Sequence, residues 1–403
     1  MRFLHCFVIL FCITVECFAI TDEVMWEQFT FNFASPGARA NAMGRAFVGL
    51  ADDATAAQSN PAGLVLLSRP EVSFENKTTG FASPRPAAAN SLRTGETVDF
   101  GETINSPAFA SFVYPTRNLR VALFRQEFLN YREEFRLEKR IVPETEVTLF
   151  QVDGDIKLKG VNYGAAAAYH FSTKLFAGFS ARISQLSVES EQEREIRTGP
   201  NTRIDGNSSE FTFAIGIIYN PVRKVSFGVV YERNGKYHFE ETYQRRDGGF
   251  DPAYSLVVKV PDRYAVGTAI RPTEGLTIVA DIVKVEYSQL SDDFTIIFNE
   301  HSQPDDFHIK DATEIHLGAE EIFFVDSTAI AVRGGFFTNP PHRLRYSGKE
   351  LAAIAAFNFG EDSSAASFTI GGGVSVSNQT QIDAAYIFSD TFNEFSASFV
   401  LRF

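Results

Sequence analysis

From about residue 70 onward the chain alternates. Leu175, Ala177, Phe179, Ala181 and Ile183 stand against Phe176, Gly178, Ser180, Arg182 and Ser184. Phe211, Phe213, Ile215, Ile217 and Tyr219 stand against Thr212, Ala214 and Gly216. Val225, Phe227, Val229 and Tyr231 face away from Ser226, Gly228, Val230 and Glu232. A period of two, with one apolar face and one small or polar face, is a strand lying between an apolar and a polar medium. Fourteen such segments are expected, near 70–80, 107–115, 118–129, 155–171, 174–189, 209–220, 223–238, 254–271, 275–289, 311–325, 328–338, 365–377, 379–388 and 393–403. Some connectors are very short: Pro115–Asn118, Ser172–Thr173, Pro221–Val222, Pro272–Glu274, Asp326–Ser327 and Asn378. Those at 81–106, 130–154, 190–208, 239–253, 290–310 and 339–364 read as long polar loops. Short turns at one end, long loops at the other and an even strand count describe a transmembrane β-barrel, whose closure leaves no edge for lipid to meet.

A soluble β-sandwich or propeller also has many strands. Strands of about 11 residues suit a tilted membrane span better. The loop lengths alternate, and the chain ends on Phe403 after alternating aromatics, which resembles the terminal signal of bacterial outer-membrane barrels. The expected fold is therefore an all-β, 14-stranded antiparallel outer-membrane barrel over 70–403.

Residues 1–19 have a different pattern. Arg2 precedes an apolar run from Phe7 to Val15, and the small Ala19 marks a cut: a secretory signal peptide. Glu16 before Cys17 argues against lipid attachment there. All three cysteines, Cys6, Cys12 and Cys17, fall in this leader, so the exported chain has no disulfide, thiol nucleophile or thiolate metal site. The chain has 403 residues, 40 of them Phe, and a net charge of −13. That charge disfavours nucleic acid, whose phosphates need clustered Lys and Arg.

Residues 20–69 do not alternate. Small residues dominate, Asp52 or Asp53 can cap a short helix Ala54–Ser59, and Pro61 ends it. The order Gly37-Ala38-Arg39-Ala40-Asn41-Ala42-Met43-Gly44-Arg45-Ala46-Phe47, then Ala51-Asp52-Asp53-Ala54, then Asn60-Pro61-Ala62-Gly63-Leu64 resembles the N-terminal hatch of the FadL family. The resemblance implies a plug in the lumen of a 14-stranded barrel. It implies transport of long-chain fatty acids or other hydrophobic compounds across the bacterial outer membrane, with the hatch shifting so that ligand escapes sideways or downward. Gly44, Arg45, Asp52, Asp53, Asn60, Pro61 and Ala62 would be hatch residues. The family also holds relatives thought to serve secretion or assembly, so a barrel partnering such proteins is the alternative.

Asn60 could bond backbone groups or a ligand carboxylate. Arg182, Arg271 and Arg402 lie on polar, inward faces, where a guanidinium could grip a carboxylate or pair with a lumen acid such as Glu232 or Asp383. The expected loops 190–208 and 239–253 are polar, so no greasy landing groove is evident in them. No phosphate-binding loop, metalloprotease helix or nucleophile elbow is present. The acidic stretch Glu300, His301, Asp305, Asp306 and His308 reads as a solvated loop. No enzyme activity, cofactor or metal is expected. The expected partners are outer-membrane lipid and a hydrophobic small molecule.

Overall fold

The structure is a computed structural model and describes residues 31, 33, 35–86, 97–137, 140–142, 147–149, 152–194, 201–244, 250–291, 307–342, 345–346, 365–376, 379–390 and 392–403. The leader at 1–19 and residues 300–306 of the acidic stretch lie outside them.

One antiparallel sheet forms the wall. Its strands are β1 (Glu71–Pro86), β2 (Thr97–Pro115), β3 (Leu119–Leu137), β4 (Val152–His170), β5 (Leu175–Arg194), β6 (Asn201–Val222), β7 (Val225–Arg233) and β8 (Lys236–Gln244). They continue as β9 (Phe250–Lys259), β10 (Arg263–Ile270), β11 (Leu276–Val285), β12 (Ala312–Val325), β13 (Thr328–Asn339), β14 (Ala365–Val376), β15 (Thr380–Phe388) and β16 (Phe392–Arg402). β16 pairs back onto β1, from Glu71↔Arg402 to Phe81↔Phe392, and closes the cylinder. Asn234–Gly235 alone separates β7 from β8, and residues 260–262 alone separate β9 from β10. Each of these pairs is one bent stave, so the sixteen segments make a closed barrel of fourteen staves.

The alternation does what lipid on one side demands. In β7, Phe227 and Val229 are 47% and 48% exposed, while Ser226 and Val230 are buried. Outward positions are apolar because they meet hydrocarbon; inward ones are small or polar because they meet the filled lumen. No helix among the described residues is long and apolar enough to cross a membrane.

The strand lengths correct the sequence reading. β2, β3 and β4 have 19 residues each, β5 has 20 and β6 has 22, well beyond the expected eleven or so. Much of the stretches 81–106, 130–154 and 190–208, expected as loops, is strand, and 239–253 belongs largely to the β8–β9 hairpin. The reason is physical. Once these strands rise past the bilayer their outward face meets water, so Glu189, Glu191 and Glu193 stand there exposed. The inward face stays apolar, with Leu158, Leu186, Val188 and Ile204 buried. Charge on the wet face hid the period.

Residues 36–68 run inside the cylinder and pack on the inner wall. They carry α1 (Ala38–Ala42), α2 (Ala56–Ser59) and a 3-10 helix (Pro61–Leu66). The expected helix from Ala54 is shorter. Asp53 Oδ1 accepts from the Thr55 amide at 2.9 Å and from its hydroxyl, just ahead of α2. Pro61 does more than end α2. It opens the 3-10 helix at the position where a missing N–H costs nothing, and Asn60 caps it by accepting from the Ala62 amide at 3.2 Å.

A belt of wall glycines receives this inner segment. A Cβ at Gly178 would lie 2.2 Å from Pro61, at Gly216 2.1 Å from Asn60 Oδ1, and at Gly228 2.1 Å from the Val48 carbonyl. At Gly318 it would lie 2.2 Å from the Met43 carbonyl, and at Gly335 2.2 Å from the Gly44 amide. At Gly178, Gly228, Gly318 and Gly335 backbone rests on backbone, and at Gly216 the Asn60 side chain fills the space, closeness that only glycine permits. Gly371 leaves room for the Ala42 methyl, and Gly44 itself turns with φ of 63°.

Candidate functional site

The inner segment divides the lumen. On the short-turn side a chain of buried and part-buried polar contacts ties it to the wall. Arg271 reaches Asp52 at 3.3 Å, Asp52 meets Arg39 at 2.6 Å, and Arg39 forks onto Glu320 at 2.8 and 2.9 Å. Glu320 also holds Arg333 at 2.6 Å, and Arg333 holds Asp383 at 2.7 Å. Asp383 accepts from Gln381 at 2.8 Å, Gln381 accepts from Arg402 at 3.0 Å, and Arg402 pairs with Glu71 at 2.7 Å. Glu71 then accepts from the Ala54 amide at 2.6 Å, which returns the chain to the inner segment. Burial pushes the Asp53 carboxyl above its ordinary value, against the pull of the nearby Arg39 guanidinium.

Above the inner segment the lumen is apolar on one side. Tyr131, Leu158, Leu186, Ile204, Phe239 and Val258 belong to one buried cluster there, together with Phe31. The β8–β9 hairpin leans into it, and Tyr237, fully buried, donates its hydroxyl to Ser184 at 2.5 Å. So the stretch 239–253, polar by composition, contributes Phe239 to the lining, and its neighbour Val258 does the same. At the floor, Glu232 accepts from Arg182 and, at 2.9 Å, from Arg263. Gln58 of the inner segment donates to Glu232 at 3.1 Å. A small cavity of about 10 Å³, room for about one water, lies between Gln58, Gln126, Phe128, Glu232 and Tyr237.

The wall parts beside that cavity. β2 and β3 are paired only from Pro115↔Arg120 to Phe109↔Gln126, although both strands continue. Beyond that point β2 keeps its ladder with β1 and β3 keeps its ladder with β4. Two local features coincide. Pro107 brings no N–H to a ladder, and the β3–β4 register shifts between Glu127 and Leu129, leaving Phe128 as an extra residue. Phe128 turns inward over Gly160, where a Cβ would meet the ring at 2.4 Å. On the outer face the wall carries an apolar trough of about 730 Å³, floored by Ala110, Ala165 and Ala181 and edged by Phe112, Leu123 and Phe211.

The candidate residues separate into two groups. Asn60 is fully buried, donates to the Val48 carbonyl at 2.9 Å, and packs on Gly216. Arg45 lies with its guanidinium 4.5 Å from the centre of the Phe337 ring and 3.9 Å from Glu394. Gly44, Asp52, Asp53, Pro61 and Ala62 lie with them in the inner segment. Arg271 and Arg402 sit in the short-turn-side chain, whereas Arg182 sits with Glu232 below the buried apolar cluster. The sequence reading missed Ser106, Glu127 and Phe128 at the parting. Its own segment ends carried a signal: the alternation of 107–115 and 118–129 fails close to where the β2–β3 ladder stops.

A family model described as outer membrane protein transport protein (OMPP1/FadL/TodX) matches residues 29–393. The chain belongs to the FadL/TodX family. Its place is the bacterial outer membrane, and its class is that of transport proteins for hydrophobic compounds. No curated protein sequence gives a significant match. Among solved structures, a Pseudomonas aeruginosa FadL homologue is 13% identical with a TM-score of 0.68, covering 93% of this chain and 99% of its own. The Ralstonia pickettii toluene transporter TbuX is 16% identical with a TM-score of 0.61, covering 93% of this chain and all of its own. The Pseudomonas putida toluene transporter TodX is 14% identical with a TM-score of 0.62, covering 92% and 99%. At these identities the FadL/TodX likeness in structure speaks for the fold.

Proposed function

We propose that the chain passes hydrophobic small molecules, long-chain fatty acids or aromatic hydrocarbons, across the outer membrane by passive diffusion, with the exit sideways through the β2–β3 parting. The single observation that carries this reading is the end of the ladder at Phe109↔Gln126, with a buried apolar cluster on its lumen side and an apolar trough on its lipid side. A solute leaving water to pack among such side chains gains roughly 25 cal/mol per Å² buried. Leaving sideways delivers it to the apolar trough and the lipid beyond, whereas leaving downward would drive it through the charged chain around Arg39, Glu320 and Arg333. Neighbouring structures named as toluene transporters and a monoaromatic hydrocarbon channel support the substrate class.

On this reading residues 20–69 act as the hatch. Gly44, Arg45, Asp52, Asp53, Asn60, Pro61 and Ala62 shape and anchor it, and Arg271 and Arg402 hold its lower face. Arg182 is the cation best placed for a ligand, since its Nε and Nη2 have no hydrogen-bond partner among the described residues. The chain carries out no chemical reaction in this scheme.

The test is a cross-link. Glu102 and Arg132 face each other across the parting at 3.7 Å. Cysteines at both, joined by a cleavable bismaleimide, are expected to stop uptake of labelled toluene or oleate, and cleavage to restore it. The variant is clean because the native cysteines all lie in residues 1–19. Full uptake by the cross-linked barrel would refute the sideways exit.

A further inference from the structure

Where the β2–β3 ladder stops, side chains hold the wall shut. Ser106 on β2 donates to Glu127 Oε1 on β3. Asn130 donates to the same oxygen at 2.9 Å, and Arg125 approaches Oε2 at 3.5 Å. Arg125 also donates to the Pro107 carbonyl, back across the seam. We propose that Ser106, Arg125 and Glu127 form a polar latch that keeps the side exit closed until a solute displaces it. The inference rests on the parting being the exit, and adds the groups that gate it.

Position argues first. By alternation Glu127 belongs to the outward set of β3 with Leu123, which is 64% exposed. Yet Glu127 is only 4% exposed, because the extra residue at Phe128 bends the strand and draws the carboxylate into the seam. A carboxylate on the lipid side of a barrel wall is costly, and such residues are kept where they act. Its neighbours complete the placement. Gln126 and Phe128 line the inner cavity, while Phe124 and Arg125 line the outer trough. The latch stands on the short line between the two.

Breakability argues second. Ser106 remains paired with Lys77 of β1, and Glu127 with Val161 of β4. Separating Ser106 from Glu127 therefore breaks side-chain hydrogen bonds and no backbone ladder. The wall can open and reclose here without either strand unravelling. Where two strands keep their ladder, the same movement would strip a row of backbone bonds into lipid, where they find no replacement.

The experiment measures uptake of labelled toluene and labelled oleate by cells whose only such transporter is the full chain. Ser106→Ala and Glu127→Gln are expected to raise uptake roughly tenfold, the factor for one charge-assisted hydrogen bond removed from the closed state. Ser106→Thr keeps the hydroxyl and is expected to match the parent. Barrel folding is read separately from the heat-dependent gel shift. Unchanged or reduced uptake in a folded Ser106→Ala barrel would overturn the latch. If Glu127→Gln fails to assemble, Ser106→Ala decides alone, since it removes one hydroxyl from an intact wall. The Glu102/Arg132 cross-link keeps the two ideas apart. A blocked cross-linked barrel with an unaltered Ser106→Ala rejects the latch and retains the exit. An unblocked one rejects both.

Discussion

At the scale of single residues, the lumen is held by charges that only make sense in company. Glu232 serves two guanidinium groups, Arg182 and Arg263, in a site that water scarcely reaches. Taking such groups out of water is expensive, and the cost is met only while every partner is present. Glu232→Gln leaves two buried cations facing one neutral amide. It is expected to lower barrel stability by about 3–5 kcal/mol, seen as a lower temperature for the gel shift from folded to unfolded band. No shift in that temperature would mean that the pair is more hydrated than its burial indicates. Arg182 was visible in the sequence as an inward cation, because its neighbours alternate. That Glu232 is its partner was one suggestion among several, since the two lie 50 residues apart. Arg263 was not singled out at all. It follows the break at residues 260–262, where local pattern gives no face.

At the scale of elements, the inner segment and the wall are fitted by subtraction. The glycines at 178, 216, 228, 318 and 335 lie in five different strands; Gly216 admits the Asn60 side chain and the other four admit inner backbone. Gly318→Val would place a side chain within 2.2 Å of the Met43 carbonyl, which has no room to yield. The barrel should still close, because the β12–β13 pairing survives. The inner segment should lose its seat, giving larger single-channel conductance in planar bilayers and faster protease cleavage within residues 36–68. Unaltered conductance would show that the segment tolerates displacement. Of these, the sequence marks Gly178, Gly216 and Gly228 as the small face of alternating strands. What they make room for is set by contacts between residues hundreds of positions apart. The strand ends were misjudged for a related reason: alternation reports the medium on each side, and both media change where a strand leaves the bilayer.

At the scale of the whole molecule, the outward face forms an apolar band while polar groups turn to the lumen. Val266 stands in that band, 57% exposed, paired with Val229 and Ile282. Val266→Arg is expected to cost about 2–4 kcal/mol near the bilayer centre and to reduce the folded fraction recovered from lipid vesicles. A soluble barrel would accept the same change with little effect, so normal yield would count against a membrane-embedded wall. The staves from β2 to β10 are taller than those from β11 to β16, and the buried apolar cluster lies mainly against the taller ones.

The sequence by itself determined the strand alternation, the fourteen staves, the short-turn end and the non-alternating segment ahead of the wall. Each of these is a local response to the medium a residue faces, and local responses are written in local order. Tertiary structure alone decided which charges pair, which glycines receive the inner segment and where the wall comes apart. Those depend on register between strands. A proline in β2 and one extra residue in β3 become a parting only when closure of the cylinder sets them side by side.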